Sequence, residues 1–304
     1  GIAQSTPTLS HQYGRLAISG APGGLASRSG FDIWIYRLAR YDSSSEDGSE
    51  EDRVLSAFDE PPRRLTFLPG TEVSPQWSPA GDWIVFGYIR SGGDSSESAG
   101  LMKVRTSGGQ PELLVEQKES GSGNVLVPSD WSADGRYIVF TEGSWLSIGV
   151  NDIRAYDLQT NQIITLVENE KDDQGGCISP DGKWLAYESS ESGEWEVYVV
   201  PFRPGWDDDP AQALPVPPDG AQWRVSIAGG RQPRWKRDGG ELYYVASSDS
   251  LIMVKVGSDG PIFGHDAGTA LFKAPSEEGV QYDVSADGER FAFNGMVEDE
   301  WTTI

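Results

Sequence analysis

The sequence predicts an all-β protein: a six-bladed β-propeller of four-stranded antiparallel blades, its ring closed by an N-terminal strand. Three observations carry this expectation. A short motif recurs six times, each copy is centred on a tight-turn signature, and the composition favours strands and turns over helices. The 304 residues include 37 Gly, 19 Pro, 11 Trp and 11 Tyr, generous in residues that break helices and in the flat side chains that half-buried strands accept.

Aligned on its turn glycine, the motif reads TLSHQYGRLAIS at Gly14, QWSPAGDWIVFG at Gly81, DWSADGRYIVFT at Gly135, CISPDGKWLAYE at Gly182, RWKRDGGELYYV at Gly239 and DVSADGERFAFN at Gly288. A period near fifty residues with several short strands per copy is the signature of a propeller blade. In Ser-Pro-Asp-Gly, Pro180 presets φ, Asp181 bonds its own backbone and Gly182 takes a left-handed conformation, so the flanking strands must run antiparallel. Alternation in stretches such as WLAYES then turns every other side chain toward a neighbouring blade.

Reading outward from each turn, four strands fit the first five copies, for example SPQWS, WIVFGYI, LMKVRT and PELLV in the second. The sixth copy has YDVS and RFAFN and then runs out at WTTI, so the segment IAQ at residues 2–4 is expected to complete it. Borrowing an N-terminal strand removes the exposed edges of an open ring. The chain is thus expected to be a single domain over 1–304, with blades near 7–68, 69–117, 118–168, 169–228, 229–274 and 275–304 plus 1–6.

The copies, especially SPDGKWLAY followed by EVYVVPF, resemble the repeats of TolB-like six-bladed propellers over nearly the whole chain. The stretch WRVSIAGGRQPRWKRDGGELYYVASSDSLIMVKV, followed by YDVSADGERFAFN, more specifically resembles the C-terminal sensor propellers of bacterial membrane-tethered serine/threonine kinases and of some regulators. That resemblance implies an extracytoplasmic, periplasmic or extracellular, binding or sensing module. The chain departs from those relatives in carrying no kinase or winged-helix part and two acidic insertions, and it lacks the N-terminal α/β domain of TolB itself. The start at Gly1, without a leader, reads as a processing boundary.

Motifs for chemistry are sparse. No Gly-x-Ser-x-Gly elbow, His-Glu-x-x-His, phosphate-binding glycine loop or paired-cysteine pattern occurs. His11 and His265 read as turn and loop residues, and the single cysteine, Cys177, as a small buried strand residue that can form no internal disulfide. Some TolB-like propellers are pectate-fragment lyases that use several histidines around a metal, a set two scattered histidines cannot rebuild. The expectation is therefore a non-catalytic module with no cofactor; the alternative is a hydrolase or lyase with a carboxylate-bound metal in the central channel.

A net charge of −23 repels nucleic acid and anionic membrane surfaces, and the longest apolar runs are too short to span a bilayer. Residues 42–52, DSSSEDGSEED, hold six acidic residues and no basic one, and Asp207, Asp208 and Asp209 form a second run. Both read first as solvated loops; calcium (Ca2+) binding and a docking surface are the lesser readings, the former because neither run has the spacing of a calcium loop. Both are placed between the third and fourth strands of a blade, on the face of the Ser-Pro-Asp-Gly turns. The opposite face is where propellers gather ligands, with Glu72, Asn124, Asp173, Arg231, Glu278 and Tyr282 entering the channel mouth. Arg231 is expected either to anchor a carboxylate or to pair with a neighbouring acid. A protein, peptide or small-molecule ligand at that mouth, bound by a monomer, is the expected partner.

Overall fold

A computed structural model describes residues 7–10, 14–20, 31–38, 60–90, 98–117, 124–144, 150–204, 222–257, 262–275 and 281–293. Among them every helix or strand element is a β-strand, and every strand pair is antiparallel. The first sheet runs β1 (Thr8–Leu9), β2 (Arg15–Gly20), β3 (Asp32–Arg37) and β4 (Arg63–Arg64); the second β5 (Thr71–Trp77), β6 (Trp83–Arg90), β7 (Ser98–Arg105) and β8 (Glu112–Gln117). The third holds β9 (Asn124–Trp131), β10 (Tyr137–Ser144), β11 (Asp152–Asp157) and β12 (Gln162–Val167), and the fourth β13 (Asp173–Ile178), β14 (Trp184–Ser189), β15 (Glu196–Pro201) and β16 (Trp223–Arg224). In the fifth, β17 (Arg231–Trp235) and β18 (Glu241–Val245) lead to β19 (Ser250–Gly257), on which both β20 (Gly264–His265) and β21 (Thr269–Lys273) pair. A last, two-stranded sheet joins β22 (Tyr282–Val284) to β23 (Phe291–Phe293).

The described residues therefore form five blades, not the six predicted. The sixth copy supplies only a hairpin, because the residues expected to complete it, 2–4 and those after Phe293, lie outside the described residues. The hairpin sits between the fifth and first sheets all the same, with β22 touching both β17 and β1.

Each core cluster lies between two successive sheets, as a period-2 pattern with both faces apolar demands. In β14, Trp184 and Ala186 pack with Trp235, Leu242 and Tyr244 of the fifth sheet. The alternate residues Leu185 and Tyr187 pack with Val139 and Ile153 of the third. Val85 faces Ile138 and Phe140 in the same way, while its neighbours Ile84 and Phe86 face Ile33 and Ile35. Phe86 and Phe140 are fully buried, and truncating either to Ala is expected to cost about 3–5 kcal/mol. Gly87 lets the second and third sheets close up: a Cβ there would lie 2.3 Å from Leu126 O.

Five of the turns after the innermost strands close with the same backbone hydrogen bond, from the N–H of Gly81, Gly135, Gly182, Gly239 or Gly288 to the carbonyl three residues before. The six turn glycines, Gly14, Gly81, Gly135, Gly182, Gly239 and Gly288, all have φ between 54° and 77°. At Gly182 the N–H donates to Ser179 O at 2.8 Å. The Ser179 hydroxyl donates to Asp181 Oδ1 at 2.6 Å and accepts from Trp184 N at 3.0 Å, so serine and aspartate together tie the turn to the next strand. Ser132 does the same with Asp134 and Tyr137. At the fifth turn Lys236 replaces the serine, and Asp238 alone accepts from Gly240 N at 2.9 Å. The acidic insertions fall between β3 and β4 and between β15 and β16, but residues 42–52 and 205–210 themselves, with the calcium reading attached to them, lie outside the described residues.

Candidate ligand-binding site in the central channel

The innermost strands β1, β5, β9, β13, β17 and β22 each touch the next in that order, and β22 touches β1, so they surround the channel axis. Three of them open with the same irregularity. A bulge separates Val73 from Gln76, Gln174 from Cys177 and Arg231 from Arg234. At the same repeat position inside each bulge stands a residue with positive φ: Ser74 at 49°, Gly175 at 67° and Gln232 at 58°. Two residues on the bulged strand oppose one on its partner, so Arg231 and Arg234, an odd number apart, share one face.

Of the residues placed at the mouth by sequence, Glu72 and Asp173 are wholly buried at the starts of β5 and β13. Thr66 Oγ1 donates to Glu72 Oε2 at 2.9 Å and itself accepts from Ile33 N at 2.8 Å, locking the exit of the first blade to the entry of the second. Burial pushes the Glu72 carboxyl up to about 8 against the opposing pull of that hydrogen bond. Burial also raises Asp173 to about 6 although the Asn169 amide donates to it.

Arg231 is half-exposed. Its Nε stands 3.4 Å from Glu188 Oε2, and its guanidinium lies over the Trp195 ring at 4.4 Å. Glu188 also accepts from Gln232 N at 2.9 Å, holding the bulge. Tyr282 is buried, stacked on Phe293. Asn124 opens β9, where its backbone pairs with Ser144. Glu278 lies outside the described residues, as does His11, whereas His265 is an exposed residue of β20. Cys177 is buried, its thiol pushed up by desolvation, and donates to Pro233 O at 3.2 Å.

A second set of residues was not singled out by sequence reasoning. Two positions before the turn serine or its replacement, the six copies carry Thr8, Gln76, Asp130, Cys177, Arg234 and Asp283. Four of these bridge one innermost strand to the next. Thr8 Oγ1 donates to Pro75 O at 2.9 Å, Asp130 Oδ2 accepts from Ile178 N at 2.6 Å, Cys177 reaches Pro233, and Asp283 Oδ2 accepts from Leu9 N at 2.6 Å. Tryptophans one residue on add to the links: Trp77 Nε1 donates to Thr8 O at 2.9 Å and Trp235 Nε1 to Cys177 O at 3.1 Å. The signal is present once the copies are aligned on the turn serine or its replacement, as a column that is polar or thiol in every copy and different in chemistry from blade to blade.

This architecture is shared with solved structures. TolB from Acinetobacter baumannii aligns with a TM-score of 0.60 at 17% identity, over 91% of this chain and 57% of that one. The fold is that of a TolB-like β-propeller. A putative TolB from Agrobacterium tumefaciens aligns with a TM-score of 0.57 at 17% identity, over 96% of this chain and 90% of that one. An oligogalacturonate lyase in complex with manganese gives 0.55 at 13% identity, over 97% and 71% of the two chains. The chain spans just over half the length of the Acinetobacter TolB. No family model and no curated protein matches it. At these identities the likeness shows the fold alone, and any site must be argued from this chain's own residues.

Proposed function

We propose that the chain is a non-catalytic binding or sensing propeller that takes a peptide, protein or small-molecule ligand in its central channel, on the extracytoplasmic side of the membrane. The observation that carries this reading is the channel column itself. Thr8, Asp130, Cys177 and Asp283 link one innermost strand to the next, whereas at the same position, among the described residues, Gln76 Nε2 is buried without a partner and Arg234 donates only within its own strand, to Pro233 O. A purely structural ring has no need of unlike donors there. In the same reading the ring has six blades in a single domain, residues 2–4 completing the hairpin β22–β23, and the link from Leu9 to Asp283 supports that closure. The resemblance to kinase-linked sensor propellers supports the sensing role and the compartment. No helix among the described residues is long and apolar enough to cross a membrane.

The test is a thermal-shift panel of short peptides, sugars and divalent ions on the full chain, with metal content measured on protein purified without chelator. A ligand that binds only the folded state must raise the melting temperature. The reading expects such a shift from an organic ligand without turnover. Stoichiometric metal together with cleavage of a sugar or peptide would instead establish the hydrolase or lyase alternative.

A further inference from the structure

We propose that the channel side of β17 is a carboxylate-binding site, in which the Arg234 guanidinium receives the carboxylate of a ligand entering past Arg231. This deepens the binding reading above and rests on it. Arg234 makes one hydrogen bond among the described residues, Nη1 to Pro233 O at 2.9 Å, and no ion pair. Yet the charges of Asp283 and Asp130, the Cys177 thiol and the Tyr282 hydroxyl all act on it. Those four groups belong to three other innermost strands, and Arg234 itself is a part-buried residue of β17, one of the six strands around the channel axis.

The two aspartates do not take up its remaining donors. Asp283 accepts from Leu9 N at 2.6 Å and Val284 N at 2.8 Å, one on each oxygen. Asp130 likewise accepts from Ile178 N at 2.6 Å and Trp131 N at 2.8 Å. Both carboxylates thus accept from backbone N–H groups, and the part-buried Arg234 keeps guanidinium donors that no partner among the described residues takes and that are not among the buried unpartnered atoms, so a ligand in the channel can reach them. Two polar groups of neighbouring innermost strands, the Tyr282 hydroxyl and Gln76 Nε2, are buried with no hydrogen-bond partner among the described residues.

The bulge at Gln232 makes the site reachable. It puts Arg231, half-exposed at the mouth, and Arg234, deeper in the channel, on one face of the same strand, so a ligand meets one guanidinium and then the other. A guanidinium fork matches a carboxylate with two parallel hydrogen bonds. One arginine beside two aspartates, in a chain of net charge −23, leaves the surroundings net negative, so a dianionic phosphate meets more repulsion than a monoanionic carboxylate held by the fork.

The test compares acetyl-triglycine with its C-terminal amide, and both with inorganic phosphate, titrated into the full chain and followed by tryptophan fluorescence and two-dimensional NMR. The acid is expected to bind at least about tenfold more tightly than the amide, a difference of about 1.4 kcal/mol, and more tightly than phosphate. Arg234→Gln should abolish that preference; Arg234→Lys, which keeps the charge and loses the fork, should weaken it; Arg290→Gln, on an exposed turn, should leave it unchanged. If Arg234→Gln does not fold by circular dichroism, Arg234→Lys decides. Equal binding of acid and amide, tighter binding of phosphate, or an acid preference that survives in a folded Arg234 variant would each overturn the proposal. So would no binding of either peptide, whereas a neutral ligand found in the wider panel would leave the binding reading intact.

Discussion

Asp283 Oδ2 accepts the backbone N–H of Leu9 at 2.6 Å across 274 residues of sequence. The last described hairpin is thereby tied to the first innermost strand, as Asp130 ties β9 to β13 through Ile178. Removing the acceptor leaves buried N–H groups unpaired, so Asp283→Ala and Asp130→Ala should each destabilise by about 1–3 kcal/mol in urea unfolding. A neutral result at both positions would mean that the links form without contributing to stability.

The proposed closure of the ring by residues 2–4 makes a separate prediction. Deleting residues 1–6, while keeping Leu9, should lower the melting temperature by several degrees, because an edge of the last blade would be exposed. An unchanged melting curve would place the closing strand elsewhere.

The backbone carries a third. Nothing lies within 4 Å of a Cβ built on Gly182, whose φ is +71°, so Gly182→Val should cost about 1–3 kcal/mol through conformation alone. The same argument applies at the bulge: Gly175→Ala should cost about 1 kcal/mol, whereas Gln232→Gly should cost nothing or stabilise slightly, since it relieves a left-handed φ at a side-chain-bearing residue. Equilibrium urea titrations compare all three, and a large loss for Gln232→Gly would show that its side chain outweighs the strain.

These two backbone devices differ in how far sequence reveals them. The six turn glycines were legible because Pro, Asp and Gly carry the turn in their own chemistry. The bulges were not, because two of the three are occupied by Ser74 and Gln232, which announce nothing about positive φ. Glu72 and Asp173 were read as entering the channel mouth, and their full burial was not legible, because an acid at a strand entry is enclosed only by the fit between adjacent blades. Arg231 was legible as a cation among acids, but its stacking on Trp195 depends on the turn between β14 and β15, which no motif marks. Arg234 was overlooked because its column matters only once the innermost strands are seen to surround one channel.

The buried acids give stability a pH dependence. Glu72, held at about 8, and Asp173, at about 6, bind protons in the folded state that the unfolded chain has released. Their contribution is full below the ordinary carboxylate range and is lost as pH rises through those values. The melting temperature should therefore fall between about pH 5 and pH 8. Glu72→Gln should flatten the upper part of that fall and be more stable than the wild type at pH 8. Identical profiles for the two proteins would mean that Glu72 is ionised in the fold and its burial relieved by solvent.

The central claim is that the channel, entered from the bulged ends of the innermost strands, is where ligand binds. Hydrogen–deuterium exchange with and without the best ligand of the thermal-shift panel tests it most directly. The account predicts added protection over residues 71–77, 231–235 and 281–284, with the turns at Gly135 and Gly182 unchanged. Protection confined to those turns, or to the outer strands β8, β12 and β21, would contradict it.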